Sequence, residues 1–187
     1  MRRTLATGEE VADCFGANNA RSLVTRPLQG AELAITHLSR DYDEDDPPVV
    51  LPSDDAFLVV LYLIDVEHRD LFPDRPAAPL KRYRKGSICL ISLKQGAAIA
   101  IRGRFEAIVF HIPRQNLIEL TERAGQPPVD DLATCRGIED QTIADLGAAL
   151  IPLCHSSGGA ERHSLPHIAL AFCAHIAHQY GRSARPN

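Results

Sequence analysis

Residues 84–125 constrain the fold of this chain more than any other stretch. Three apolar runs, 87–93, 97–101 and 105–112, are separated by Gly86, Gly96 and Gly103. Short runs rich in Ile and Val and bounded by glycine predict strands joined by tight turns, here a β-meander. At Pro113 the period changes. Leu117, Ile118 and Leu120 recur at helical spacing, and Pro113 suits a first helical turn because the N–H it lacks has no partner there. Gly125 follows where a left-handed C-terminal cap belongs. Strands therefore feed directly into a helix.

The remaining elements are read outward from this stretch. Thr7-Gly8-Glu9-Glu10 has the form of a capping box, with Val11 and Phe15 on one face of a short helix ending at Gly16. Residues 31–38 alternate, with Leu33, Ile35 and His37 on one face of a half-buried strand. Asp41, Asp43 and Asp45 have the spacing of a calcium loop. Asp46 stands where that loop needs Gly and Pro52 where it needs Glu, so 41–48 reads as a solvated acidic loop. Residues 56–64 are apolar on both faces and predict a strand buried on both sides. The basic run 81–85 reads as a solvated strand end, because alternation splits its charges between two faces.

Beyond Gly125 the expectation is a linker at 126–128 and then helices. Asp140 is placed to N-cap one carrying Ile143, Leu146 and Leu150. Residues 142–146 look like the start of a helix-turn-helix, but Pro152 and a Ser-Ser-Gly-Gly linker replace the second helix that motif needs. Ser164 begins a final helix. Leu165, Ile168, Ala169, Phe172 and Ile176 form its apolar stripe; His167, Ala171, Ala174 and His178 lie on the other side. These two histidines stand roughly 16 Å apart along the helix, too far to share one metal.

Composition narrows the class. The chain has 187 residues, a net charge of −4 and 45% hydrophobic residues, ordinary for a globular domain with its own core. Its longest apolar run is far short of the roughly 20 residues of a membrane helix, and the N-terminus has no apolar leader segment. Cys14, Cys89, Cys135, Cys154 and Cys173 form no CxxC pair and read as reduced, mostly buried thiols of a cytoplasmic protein. No nucleophile elbow, phosphate loop, dinucleotide fingerprint or HExxH is present, and no His-x-His pair marks a metal site. The sequence thus nominates no catalytic residue, no metal and no cofactor.

Residues 85–90 and 103–112, followed at once by Pro113-Arg114-Gln115-Asn116-Leu117-Ile118-Glu119-Leu120 and then two further helices, resemble the N-terminal regulatory domain of AraC/XylS-type transcription regulators. The resemblance spans about 31–181. It implies an α+β fold: a cupin-like antiparallel β-barrel of jelly-roll type through residue 112, then a helical dimerisation part over 113–181. It also implies effector sensing rather than catalysis, and residues 182–187 as the start of a linker to a DNA-binding domain lying outside this sequence. A cupin-fold enzyme and a ligand-free interaction module are the rival classes.

Within that frame the candidate ligand-binding residues are His37, Tyr62 and His111, each a polar interruption of an apolar strand face, with Arg104 added for an anionic effector. The candidate homodimer face is His167, Ala171, Ala174 and His178. The expected partners are a second copy and an unidentified small-molecule effector, with no membrane. DNA is expected only through the absent domain, since 24 acidic residues outnumber 20 basic ones here.

Overall fold

The computed structural model describes residues 8–156 and 163–183. Its first half runs α1 (Gly8–Phe15), β1 (Arg21–Thr25), β2 (Leu33–Tyr42), β3 (Val49–Leu51), β4 (Ala56–Tyr62), β5 (Val66–Leu71), β6 (Lys81–Tyr83), β7 (Ser87–Ser92) and β8 (Ala97–Pro113). Its second half runs α2 (Arg114–Arg123), β9 (Val129–Leu132), β10 (Cys135–Glu139), α3 (Gln141–His155), α4 (Leu165–Tyr180) and β11 (Gly181–Ser183).

Strand β8 joins two antiparallel layers. Its second half pairs with β2 on one side and β4 on the other, within a main layer ordered β1-β2-β8-β4-β7-β10. Its first half pairs instead with β3 and β5, and β5 carries β6. This corrects three expectations. Residues 97–101 and 105–112 are one 17-residue strand, not two. Gly103 takes a φ of 71°, yet it still pairs with Tyr42, so it redirects the strand from one layer to the other rather than ending it. Nor do β7 and β8 form a meander: β4 lies between them in the main layer. Among the described strands the layers are joined along β8, which gives an open double layer, not the expected closed barrel.

Alternation gives the main layer two apolar faces. Every residue of β4 is buried, as its two-sided apolar pattern predicts. Phe57, Val59 and Leu61 join Ile108, Phe110 and Phe172 in one core with the helices. Leu58, Val60 and Tyr62 join Phe105, Val49 and Phe15 in a second core, between the layers and under α1. Each such side chain, fully buried, contributes about 1.5–3 kcal/mol.

The helices share their core with the sheet. Phe172 of α4 stacks on Phe110 at 3.9 Å. Asp140 caps α3 as expected, its Oδ1 accepting from the Ile143 N–H at 3.0 Å. Its Oδ2 accepts from His175 Nε2 and the Tyr180 hydroxyl, at 2.8 and 2.7 Å, which ties α3 to α4. Gly125, at φ 64°, closes α2: its N–H reaches Glu122 O, and the Gln126 N–H reaches Thr121 O. The expected 126–128 linker leads not into a helix but into β9 and β10, which the sequence reading missed. Residues 181–183 pair with β9. Thr7 of the expected capping box, most of the 156–159 linker and residues 184–187 lie outside the described residues.

Candidate functional site

A cavity of about 830 Å³ lies between the two layers. The main layer supplies Leu58, Val60 and Tyr62 from β4, Cys89 and Ile91 from β7, and Phe105 from β8. The second layer supplies His68 and Asp70 from β5 and the apolar start of β8. Phe15 reaches it from α1, and Phe72–Arg75 form part of its exposed rim. The volume falls in the range of small-molecule sites, about 300–1,000 Å³.

Three polar side chains meet on the buried wall. The Tyr62 hydroxyl lies 2.7 Å from His68 Nε2 and 3.1 Å from Cys89 Sγ. The imidazole of His68 stacks on Tyr83, with centroids 4.2 Å apart. Alternation explains the meeting: Val66, His68 and Asp70 share the inward face of β5, whereas Glu67 and Arg69 point away. All three groups are neutral at pH 7. Burial pushes His68 down to about 4, a little offset by Asp70 and reinforced by Arg136 and Lys81. Burial likewise holds Tyr62 well above the ordinary tyrosine value and raises the Cys89 thiol. His68 Nδ1 is buried and has no hydrogen-bond partner in the protein.

Beside the polar cluster the charge is held in a pair. Arg136 Nε donates to Asp70 Oδ2 at 3.1 Å, and its Nη1 donates to the carbonyls of Leu90 and Cys135. The Arg75 guanidinium sits 3.6 Å from the centre of the Phe72 ring.

The four sequence-nominated ligand residues part company here. Tyr62 lines the cavity; His37, His111 and Arg104 do not. His37 points to the opposite, helix-bearing face of the main layer. Its Nδ1 lies 2.9 Å from His155 Nε2 and its Nε2 3.2 Å from Glu106 Oε1. Arg104, exposed, bonds the other oxygen of Glu106 at 3.4 Å. His111 shares a face with Tyr62 but sits beyond the cavity, its Nε2 2.8 Å from Asp54 Oδ2. Burial lowers its pKa despite that carboxylate. His68, Cys89 and Arg136 are the site residues that sequence reasoning missed.

On α4, His167, Ala171, Ala174 and His178 are all exposed, on the side away from buried Leu165, Ala169, Phe172 and Ile176. Among the described residues no group of three or more His, Cys, Asp or Glu is arranged to hold a metal ion. No helix among them is long and apolar enough to cross a membrane.

No family model matches this chain, and no curated protein matches it. Solved structures give partial likenesses. A cupin superfamily protein from Desulfitobacterium hafniense is 19% identical, with 51% of this chain and 79% of that one covered and a TM-score of 0.35. A protein from Photorhabdus luminescens is 11% identical over 58% of this chain and 88% of that one, with a TM-score of 0.36. A mutant oxalate decarboxylase from Bacillus subtilis is 10% identical over 50% of this chain and 24% of that one, with a TM-score of 0.35.

Proposed function

We propose that this chain is a small-molecule sensing domain, with the cavity between the β-layers as its effector site, and that it serves a regulator of the AraC/XylS type. The observation that carries the sensing role is the cavity itself. It is ligand-sized, largely apolar, and ends on a small polar cluster, the combination that binds and orients a small molecule. The neutral state of its buried wall supports binding over bond-making. Cys89 is held as a thiol rather than a nucleophilic thiolate, and His68 resists accepting a proton.

The regulatory role rests on the resemblance of residues 85–120. In that reading the exposed side of α4, with Ala171 and Ala174 between His167 and His178, docks a second copy about a two-fold axis. DNA contact belongs to a separate reading domain, and the protein works in the cytoplasm. The test is a thermal-shift screen of small molecules on the purified chain, beside a metal analysis. A ligand that binds only the folded state raises Tm, and does so further as its concentration exceeds its Kd, so reproducible concentration-dependent shifts support a sensor. Stoichiometric bound metal, or turnover of a hit compound, points instead to an enzyme.

A further inference from the structure

The wall of the cavity also selects the chemistry of its ligand. Tyr62, His68 and Cys89 are 2%, 2% and 4% exposed, so a ligand reaching them leaves water behind. Around them stand Phe15, Phe105, Leu58, Val60 and Ile91, all apolar. The charged pair Asp70–Arg136 and the side chains of Asp74 and Arg75 are the nearest ionic groups on the lining. The first two already neutralise each other. An ionised group carried to the buried wall loses its hydration there, and the ionic groups beside it, Asp70 and Arg136, are already paired with each other.

The hydrogen-bond count of Tyr62 narrows the choice further. A phenolic oxygen has one proton to give and two lone pairs. It stands between His68 Nε2 and Cys89 Sγ, both within bonding distance. Its proton goes to one of them. The other donates back, as an N–H or an S–H. Either way one lone pair of the Tyr62 oxygen is left for a donor that the protein does not supply.

We propose, building on the reading of this cavity as the effector site, that it takes an uncharged, largely apolar ring compound whose single hydroxyl or amide N–H donates to the Tyr62 oxygen, and that it rejects ligands charged at that end. Burial of the three wall groups in their neutral forms agrees with this.

Four probes of one shape test it: naphthol, methoxynaphthalene, naphthoate and naphthylmethylamine. Each is titrated into the full chain at pH 7 and followed by amide NMR shifts of β4, β5 and β7. Naphthol is expected to bind best. One net hydrogen bond makes its advantage over the methyl ether about fivefold. The acid and the amine are expected at least about tenfold weaker than naphthol. In Tyr62→Phe the gap between naphthol and its ether should close while the ether binds as before. Naphthoate or the amine binding as well as naphthol, with shifts on those same strands, overturns the selectivity and leaves the sensing role standing. So does a methyl ether equal to naphthol in the wild-type chain, a comparison that needs no variant. No shift on those strands with any of the four overturns both.

Discussion

His68 should make this protein lose stability as the pH falls from 7 to 5. The imidazole is buried, stacked on Tyr83, and ionises in the folded state only near 4, against about 6.5 in the unfolded chain. Between these values the unfolded chain binds the proton and the folded one does not, so acid favours unfolding. The contribution is complete above about 6.5 and declines as the pH drops toward the folded value. Evaluated for this one group, the loss is about 2 kcal/mol at pH 5 and about 3 kcal/mol at pH 4. With a urea m-value of about 2 kcal/mol/M, the pH 5 loss moves the midpoint down by about 1 M.

The carboxylates act elsewhere on the pH scale. Burial raises Asp140, but the donors His175, Tyr180 and the Ile143 N–H outweigh it and leave the group below its ordinary value. Its contribution is lost only in stronger acid. His111, also lowered by burial, adds a loss of the same sign as the pH falls and is the reason a variant is needed. His68→Gln keeps a polar partner for Tyr62 and cannot titrate. Urea unfolding of both proteins at pH 7, 6 and 5 should show curves that converge by about 2 kcal/mol as the pH falls. Equal pH dependence in the two proteins would refute the buried neutral imidazole, and with it the neutral wall of the cavity.

Three further outcomes follow from packing. Asp140→Ala removes a helix cap and the acceptor of two half-buried donors at once, and should cost about 2–3 kcal/mol by urea unfolding, whereas Asp140→Asn should recover part of it. Gly147→Ala places a methyl group against Leu61, where α3 meets β4, and should destabilise by about 1–3 kcal/mol although alanine is the better helix former. Ala174→Arg, on the exposed side of α4, should convert a dimer to a monomer in sedimentation at micromolar concentration with Tm unchanged for the monomer; a wild-type monomer, or a dimer indifferent to the change, argues against that face.

What the sequence showed and what it hid divide along physical lines. The strand-to-helix switch at Pro113, the cap at Asp140 and the buried stripe of α4 were legible because each is written in local residues with a local reason. The continuity of β8 through Gly103 was not. A glycine at positive φ reads as a turn, and only the partners on either side, Tyr42 among them, keep it in a strand. Strands β9 and β10 were hidden because Asp130, Asp131 and Gly137 dilute any alternation, and tertiary pairing supplies what propensity does not. Tyr62 stood out as the polar residue of an apolar strand. His68 did not, because Glu67 and Arg69 on either side make β5 look exposed. A strict reading of every second residue, Val66-His68-Asp70, carried the signal.

The same alternation sets the distance between the cavity and the helices. Tyr62 faces the cavity and Leu61, its neighbour on β4, faces α3. One peptide unit, about 3.3 Å of strand, separates the two side chains. Leu61 lies against Gly147, a position where even a methyl group has no room, so β4 and α3 are in contact without slack. Close-packed interiors transmit displacement because no void absorbs it. His37, on that same helix-facing side, bonds His155 at the end of α3. Tyr62 and His37 thus stand on opposite faces of the main layer, Tyr62 on the face that lines the cavity and His37 on the face that meets the helix. A ligand that shifted Tyr62 would press on α3 through Leu61, and Leu61→Ala, which opens a gap there, should leave binding in the cavity in place while weakening the accompanying amide NMR shifts in α3.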